Sequence, residues 1–161
     1  GMDVGLCIYD TKSGILEFAG ANNPLYIIRS KASGFSEVLS QEQLSISNEE
    51  YNLFEFKANK QPIGDYEHRV PFDSHRIKLQ PGDTVYVFSD GFPDQFGGPK
   101  GKKYKYRPFK RFLLDIQKQK LGKQKELLSN ELANWMRPAG SDFTHEQIDD
   151  VLVFGVRFDS L

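Results

Sequence analysis

The chain has 161 residues, and we expect residues 1–161 to form a single domain. With 39% hydrophobic and 27% charged residues, its composition is typical of a water-soluble globular protein, and no apolar run has the roughly 20 residues of a membrane helix. Its single cysteine, Cys7, excludes a disulfide scaffold and a cysteine-rich zinc site, and its apolar neighbours predict a packed thiol. The net charge is −1, but residues 99–125 hold eleven of the 21 Lys and Arg residues and only one acidic residue, Asp115.

The first part of the chain predicts a meander of antiparallel strands. Short apolar, β-rich runs at 4–9, 15–19 and 25–29 are separated by turn signals, Asp-Thr-Lys-Ser-Gly and Asn-Asn-Pro. Residues 31–50 are Ser-rich and irregular, and we interpret them as a surface excursion.

The second part changes from strands to helices and back. Further strands are predicted at 51–57, 76–79 and 84–88, the last with apolar or β-branched residues on both faces. Apolar residues at helical spacing after Pro108 and again from Leu128 to Trp135 predict two helices, and residues 151–158 predict a final strand. This order favours an α+β fold, in which antiparallel sheets carry two helices packed on one face.

Carboxylates stand at the ends of two of these strands. Asp90 follows the strand at 84–88, and Asp149 and Asp150 precede the strand at 151–158. If the two strands pair antiparallel, these carboxylates meet at one edge, where a bound cation relieves their repulsion. Oxygen ligands select Mg²⁺ or Mn²⁺ rather than zinc. The alternative is structural, because Asp-Gly is a common turn and Asp-Asp a common cap.

Four segments, in this order along the chain, resemble the stage II sporulation protein E branch of the metal-dependent protein phosphatases, relatives of protein phosphatase 2C. They are E-F-A-G-A-N-N-P-L-Y-I-I at 17–28, K-Q-P-I-G at 60–64, L-Q-P-G-D-T-V-Y-V-F-S-D-G at 79–91 and Q-I-D-D-V-L-V-F-G-V at 147–156. The resemblance implies antiparallel sheets that form part of a β-sandwich.

By position, the resemblance implies that Asp90 and Asp149 are ligands of a centre with two Mn²⁺ or Mg²⁺ ions. It makes Asp94, Asp150 and Gly91 candidates for the second shell or for a third metal. The implied reaction is hydrolysis of phosphoserine or phosphothreonine by a metal-activated water, without a covalent intermediate. The expected substrate is a phosphorylated regulatory protein in a signalling pathway.

One part of the family pattern is absent. The D-x-x-G-H-G segment, which supplies a further metal-bridging aspartate in the family, does not occur in this sequence. We therefore expect the chain to be the C-terminal portion of a phosphatase domain, with an incomplete fold, little activity alone and self-association through the incomplete sheet. A longer cytoplasmic protein would add an upstream sensory or repeat domain, and its upstream regions could attach it to a membrane. The alternative is a non-catalytic, phosphatase-like domain that binds a phosphoprotein or senses a ligand.

The basic segment admits three interpretations. Lysines interleaved with aromatic residues can mark a nucleic-acid surface, but the aromatic residues also fit a helix face, and we expect no nucleic-acid partner. A solvated charged loop is the simplest interpretation. The third is electrostatic attraction of a phosphorylated protein, with Lys100, Lys102 and Lys103 as the candidate residues.

Overall fold

A computed structural model describes residues 1–33, 43–65 and 67–159. Their contacts divide the chain into two compact units, residues 1–88 with 154–161, and residues 89–153. The strands are β1 (Val4–Asp10), β2 (Ile15–Ala21), β3 (Leu25–Ser30), β4 (Leu44–Ser47), β5 (Tyr51–Phe56), β6 (His75–Lys78), β7 (Asp83–Phe88), β8 (Phe96–Gly97), β9 (Lys102–Lys103) and β10 (Val153–Phe158). The helices are α1 (Gly91–Asp94), α2 (Tyr106–Asp115) and α3 (Leu121–Met136), with a 3₁₀ turn at Lys31–Ser33.

The first unit contains two sheets. One has the strand order β1-β2-β6 and the other β10-β7-β3-β5-β4. The pairings β1–β2, β2–β6, β3–β5, β3–β7 and β4–β5 are all antiparallel. Buried side chains from both sheets form one hydrophobic core: Leu16, Phe18, Leu25, Ile27, Phe54, Phe56, Ile77, Leu79 and Val85. The antiparallel sandwich predicted from the sequence is therefore present.

A buried ion pair fixes the start of β7. Arg29 of β3 donates from Nε to Asp83 Oδ1 at 2.8 Å and from its guanidinium to Oδ2 at 2.6 Å, and both side chains are 1% exposed. Asp83 Oδ2 also accepts the backbone N–H of Gln80 at 2.8 Å. Because two charges buried together need such complete pairing, this contact aligns the turn at residues 80–83 with β3.

The predicted packing of Cys7 is wrong. Cys7 lies on β1, an edge strand of its sheet, and its side chain is exposed. Leu6 and Ile8 on the same strand are 56% and 59% exposed. An edge strand has a neighbour on one side only, so apolar residues alone do not bury it. Partial desolvation nevertheless raises the pKa of the Cys7 thiol, which disfavours the reactive thiolate.

The second unit is organised by aromatic side chains. The Phe92 ring of α1 lies 5.2 Å from the Tyr104 ring and 4.9 Å from the Phe109 ring of α2, and Tyr104 also contacts Trp135 of α3 at 5.2 Å. Phe109 is fully buried, as are most apolar residues of α2. The apolar spacing that predicted α2 thus corresponds largely to its buried side chains, whereas in α3 Leu128 is buried and Leu132 and Trp135 are half-buried. No helix among the described residues could cross a membrane.

Four short elements, β4, α1, β8 and β9, were not predicted. Strand β4 lies in the segment interpreted as a surface excursion, and residues 34–42 of that segment lie outside the described residues. Helix α1 has only four residues, and β8 and β9 have two each. Elements of this size carry no periodicity, so a sequence pattern cannot identify them.

Candidate metal-binding site

Asp90 stands where β7 passes into α1. It occupies the N-cap position of α1 with helical backbone angles, and its side chain makes no capping hydrogen bond. The backbone N–H of Asp94 donates to the Asp90 carbonyl oxygen at 2.9 Å, which closes one helical turn. Asp90 is exposed, so its carboxylate lies at the surface immediately after a buried strand. The alternative interpretation of Asp90 and Gly91 was a structural turn, and the backbone does turn at Asp90, but the Asp90 side chain does not cap α1.

Ser89 joins this strand end to the segment that carries the other aspartates. Its hydroxyl donates to the Asp150 carbonyl oxygen at 2.7 Å and accepts the Leu152 N–H at 2.9 Å. The Ser89 N–H donates to the Leu152 carbonyl oxygen at 3.0 Å. Three hydrogen bonds thus hold residues 150–152 beside Ser89. The sequence reasoning made the meeting of these strand ends conditional on pairing of the two strands, and β10 does lie beside β7 in the sheet. The hydrogen bonds of the Ser89 side chain were not predicted.

Gly91 makes a close approach to the same segment. It is buried, and a Cβ atom at this position would overlap the Asp150 carbonyl oxygen and lie 2.9 Å from the carbonyl carbon. It would also lie 3.2 Å from Cγ2 of Val151. Only glycine therefore lets the backbone of α1 pack against Asp150. The candidate role of Gly91 is thus steric, since it brings the Asp90 and Asp149 segments together.

Asp94 has a cationic partner within the chain. Nζ of Lys103 lies 2.9 Å from Asp94 Oδ2, and the two side chains are 47% and 31% exposed, respectively. Of the other lysines considered for phosphate attraction, Lys100 and Lys102 are exposed. Lys103 therefore differs from these two, because its charge already faces a carboxylate.

A buried glutamine supports the loop before Asp149. Gln95, which is 2% exposed, donates from Nε2 to the Glu146 carbonyl oxygen at 2.9 Å. Gln147 donates from Nε2 to the Asp149 carbonyl oxygen at 3.0 Å. The Gln95 bond ties residue 146 to the turn that follows α1, and the Gln147 bond is local to residues 147–149. The sequence offered no signal for Gln95, since one glutamine after an Asp-Gly turn is not distinctive.

The aspartates of this site offer oxygen ligands, the type that Mg²⁺ and Mn²⁺ prefer. Carboxylate oxygens are offered by Asp90 on one segment and by Asp149 and Asp150 on the other, and contacts of Ser89 and Gly91 hold the two segments together. The carboxylate of Asp94 is already paired with the ammonium group of Lys103. Within the described ranges, however, no group of three or more His, Cys, Asp or Glu residues is placed to hold a metal ion. The described residues therefore offer oxygen donors of the right type, but no set of three that is placed to hold a metal ion.

Comparisons with known proteins agree with this architecture. A family model described as stage II sporulation protein E (SpoIIE) matches residues 2–159. The solved SiaA-PP2C domain of Pseudomonas aeruginosa is 29% identical with a TM-score of 0.71, and the match covers 98% of this chain and 52% of that one. A search of curated proteins found no match.

The phosphatase domain of the cell fate determinant SpoIIE from Bacillus subtilis has the same fold. It is 18% identical with a TM-score of 0.55, over 98% of this chain and 59% of that one. A manganese-presoaked structure of that domain is 20% identical with a TM-score of 0.55, over 99% and 57%. This chain thus spans little more than half of each domain. Its α+β fold with antiparallel sheets is phosphatase 2C-like, and the chain belongs to the stage II sporulation protein E family.

Proposed function

We propose that this chain supplies part of the metal centre of a serine/threonine protein phosphatase, with Asp90 and Asp149 as metal ligands. The observation that supports this most strongly is the contact of Ser89 and Gly91 with Asp150, because it brings the two ligand segments to one place. The proposed substrate is a phosphorylated regulatory protein, and the proposed setting is a longer signalling protein with an upstream sensory or repeat domain.

Each part of the site has a distinct task in this proposal. When bound, two Mn²⁺ or Mg²⁺ ions would activate a water and neutralise the charge that develops on the phosphoryl group. Asp90 and Asp149 hold the ions, and Asp150 supports this segment through its backbone contacts with Ser89 and Gly91. The exposed ammonium groups of Lys100 and Lys102 raise the local concentration of phosphorylated protein.

A Mn²⁺ titration by calorimetry tests the ligand assignment. We expect weak binding by the 161-residue chain and its loss in Asp90→Asn and Asp149→Asn, because each substitution removes an anionic oxygen ligand. Asp142→Asn is the matched control, since Asp142 is an exposed aspartate of the same unit and should leave binding unchanged. Equal Mn²⁺ affinity in the wild-type chain, Asp90→Asn and Asp149→Asn would contradict the assignment.

Hydrolysis of p-nitrophenyl phosphate tests the completeness of the centre. We expect little turnover by the isolated chain, because its described residues lack a complete group of metal ligands. A chain extended upstream through a D-x-x-G-H-G segment should gain metal-dependent turnover. Robust metal-dependent turnover by the 161 residues alone would refute the interpretation that this chain supplies only part of the metal centre.

The shortage of ligands also favours a second candidate, a phosphatase-like domain that binds a phosphoprotein without hydrolysing it. The two functions differ in the upstream sequence and in metal dependence. A non-catalytic domain should bind a phosphopeptide equally well with Mn²⁺ or with EDTA, and its upstream region should lack D-x-x-G-H-G. A phosphatase should bind the phosphopeptide differently with Mn²⁺ and with EDTA, and its upstream region should contain D-x-x-G-H-G.

Self-association through the edge strand β1 is the proposed state of the isolated chain. Leu6 and Ile8 present exposed apolar side chains on this strand, and an unpaired, apolar edge can pair with a second copy. Sedimentation should show a concentration-dependent dimer that Ile8→Lys weakens, with Lys12→Glu as a control in the following turn. A wild-type chain that stays monomeric at high concentration would contradict this proposal.

A further inference from the structure

The ion pair between Lys103 and Asp94 is fixed by the backbone on both sides. Strands β8 and β9 pair Phe96 with Lys103. Next to this pair, the Tyr104 N–H donates to the Gln95 carbonyl oxygen at 3.0 Å, and the Lys105 N–H donates to the Pro93 carbonyl oxygen at 2.6 Å. Residues 103–105 therefore run alongside residues 93–96. This arrangement presents Lys103 to Asp94 before any ligand binds.

The aromatic ring of Phe96 further restrains the lysine side chain. Nζ of Lys103 lies 5.9 Å from the centre of the Phe96 ring, within the range of a cation–π contact. A side chain held by both a ring and a carboxylate loses less rotational freedom when it forms the ion pair than a fully solvated lysine would. The pair is thus better ordered than a typical surface salt bridge.

Asp94 lies close to the proposed metal ligand Asp90. The two residues are four positions apart, and the hydrogen bond from Asp94 N–H to the Asp90 carbonyl oxygen places them on one face of a helical turn. A cation at the Asp94 carboxylate would therefore lie near any metal ion held by Asp90. The position beside the Asp94 carboxylate is already filled by the ammonium group of Lys103.

We propose that the Lys103 ammonium group replaces a divalent cation at Asp94, so that Asp94 does not contribute to metal binding in this chain. This inference builds on the proposed metal centre, and it assigns Asp94 to a charge pair rather than to a third metal site. An ammonium group brings one positive charge without needing the six oxygen ligands of Mg²⁺ or Mn²⁺. The chain thereby neutralises a carboxylate beside the centre without a further ion.

The test is Mn²⁺ binding in the wild-type chain, Lys103→Met, Asp94→Asn and the double variant, measured from the electron paramagnetic resonance signal of free Mn²⁺. Lys103→Met should bind Mn²⁺ about three- to tenfold more tightly, because it removes both a competitor and a nearby positive charge. Asp94→Asn should weaken Mn²⁺ binding by no more than about twofold, the effect of leaving the solvent-exposed Lys103 charge uncompensated. In the double variant the gain in Mn²⁺ affinity should disappear, because the Asp94 carboxylate that Lys103→Met makes available is absent.

Lys102→Met is the matched control. Lys102 neighbours Lys103 on β9 and has the same charge, but successive side chains of a strand point to opposite faces. Lys102→Met should therefore leave Mn²⁺ affinity within about twofold of wild type. Lys103→Arg keeps a positive charge for Asp94 and should also bind like the wild-type chain.

Two results would overturn the inference. One is an equal effect of Lys103→Met and Lys102→Met on Mn²⁺ affinity, because the change would then reflect net charge alone. The other is a loss of Mn²⁺ affinity greater than about twofold in Asp94→Asn alone, which exceeds the effect of the exposed Lys103 charge and would make Asp94 a ligand. These results are distinct from failure of the proposed function, which the Asp90→Asn and Asp149→Asn variants report separately.

Discussion

The Ser89 hydroxyl donates to the Asp150 carbonyl oxygen at 2.7 Å and accepts the Leu152 N–H at 2.9 Å. One side chain therefore satisfies a backbone acceptor and a backbone donor on the neighbouring segment. Both bonds lie directly after the buried strand β7 and directly before Asp90. The Ser89 side chain thus aligns the two aspartate-bearing segments.

Ser89→Ala should lower the free energy of unfolding by about 1–3 kcal/mol, because it leaves the Asp150 carbonyl and the Leu152 amide without this partner. Urea denaturation measures the change. Hydrogen exchange at the Leu152 amide should also become faster. A general loss of stability would speed exchange throughout the chain and not at this amide in particular.

Ser89→Thr is the matched control for this prediction. It keeps the hydroxyl group and adds a methyl group at the end of a strand, where β-branched residues are favoured. Its Leu152 amide should remain protected. If Ser89→Ala and the wild-type chain exchange this amide at the same rate, the hydroxyl does not hold the segment.

The sequence predicted the elements that have a strong apolar pattern. Strand β7 and helix α2 were found because residues 84–88 are β-branched or aromatic at every position and because Phe109 and Leu113 of α2 are one helical turn apart. These features depend on composition and spacing, which a sequence shows directly. The meeting of the two strand ends was conditional on pairing of the two strands, which the sequence did not establish and the sheet order supplies.

Contacts that depend on tertiary register could not be predicted. The pair of Lys103 with Asp94 needs the hairpin of the two-residue strands β8 and β9 to place them together, and nothing in the basic segment distinguishes Lys103 from Lys102. The exposure of Cys7 depends on β1 being an edge strand, which apolar residues alone do not reveal. The full ligand set of the proposed metal centre could not be predicted either, since the described residues contain no group of three or more His, Cys, Asp or Glu residues placed to hold a metal ion.

Gly91→Ala should destabilise the chain by about 1–3 kcal/mol, because the new methyl group would overlap the Asp150 carbonyl and force the backbone apart. Thermal or urea unfolding measures this loss. Mn²⁺ affinity should fall as well, since the displaced segment carries Asp149.

Gly122→Ala is the control for Gly91→Ala. Gly122 lies in the first turn of α3, and a Cβ atom there would meet nothing within 4 Å. Alanine should stabilise the helix by up to about 1 kcal/mol. Equal effects of the two substitutions on stability would show that Gly91 does not make a tight contact.

Lys105→Gly should stabilise the chain by about 1 kcal/mol. Lys105 has φ 78° and ψ 154° at the N-cap of α2, a backbone region that residues with a Cβ atom rarely adopt at a cost of about 1–3 kcal/mol. Part of the relief is offset by the greater freedom of glycine in the unfolded chain. Differential scanning calorimetry should show a higher Tm.

Lys105→Ala separates backbone strain from charge. It removes the same ammonium group as Lys105→Gly but keeps a Cβ atom, so the unfavourable φ angle remains. Its Tm should stay close to that of the wild-type chain. A similar rise in Tm for both variants would assign the effect to the lost charge.

Tyr104 should make stability depend on alkaline pH. Burial and the hydrogen bond from its hydroxyl to Glu131 Oε1, at 2.9 Å, raise its pKa above the ordinary value of 10.0. Above pH 10 the unfolded chain loses this proton while the folded chain keeps it, so the free energy of unfolding falls by up to about 1.4 kcal/mol per pH unit. Below pH 10 this contribution is constant and fully present.

Tyr104→Phe isolates the effect of this one tyrosine. The variant should be about 1–3 kcal/mol less stable at neutral pH, because it loses the bond to a charged carboxylate, and its disadvantage should shrink above pH 10. Urea denaturation of both chains between pH 7 and 11 measures the difference. Parallel curves over the whole range would mean that the Tyr104 hydroxyl has the same pKa in the folded and unfolded chains, contrary to the buried bond with Glu131.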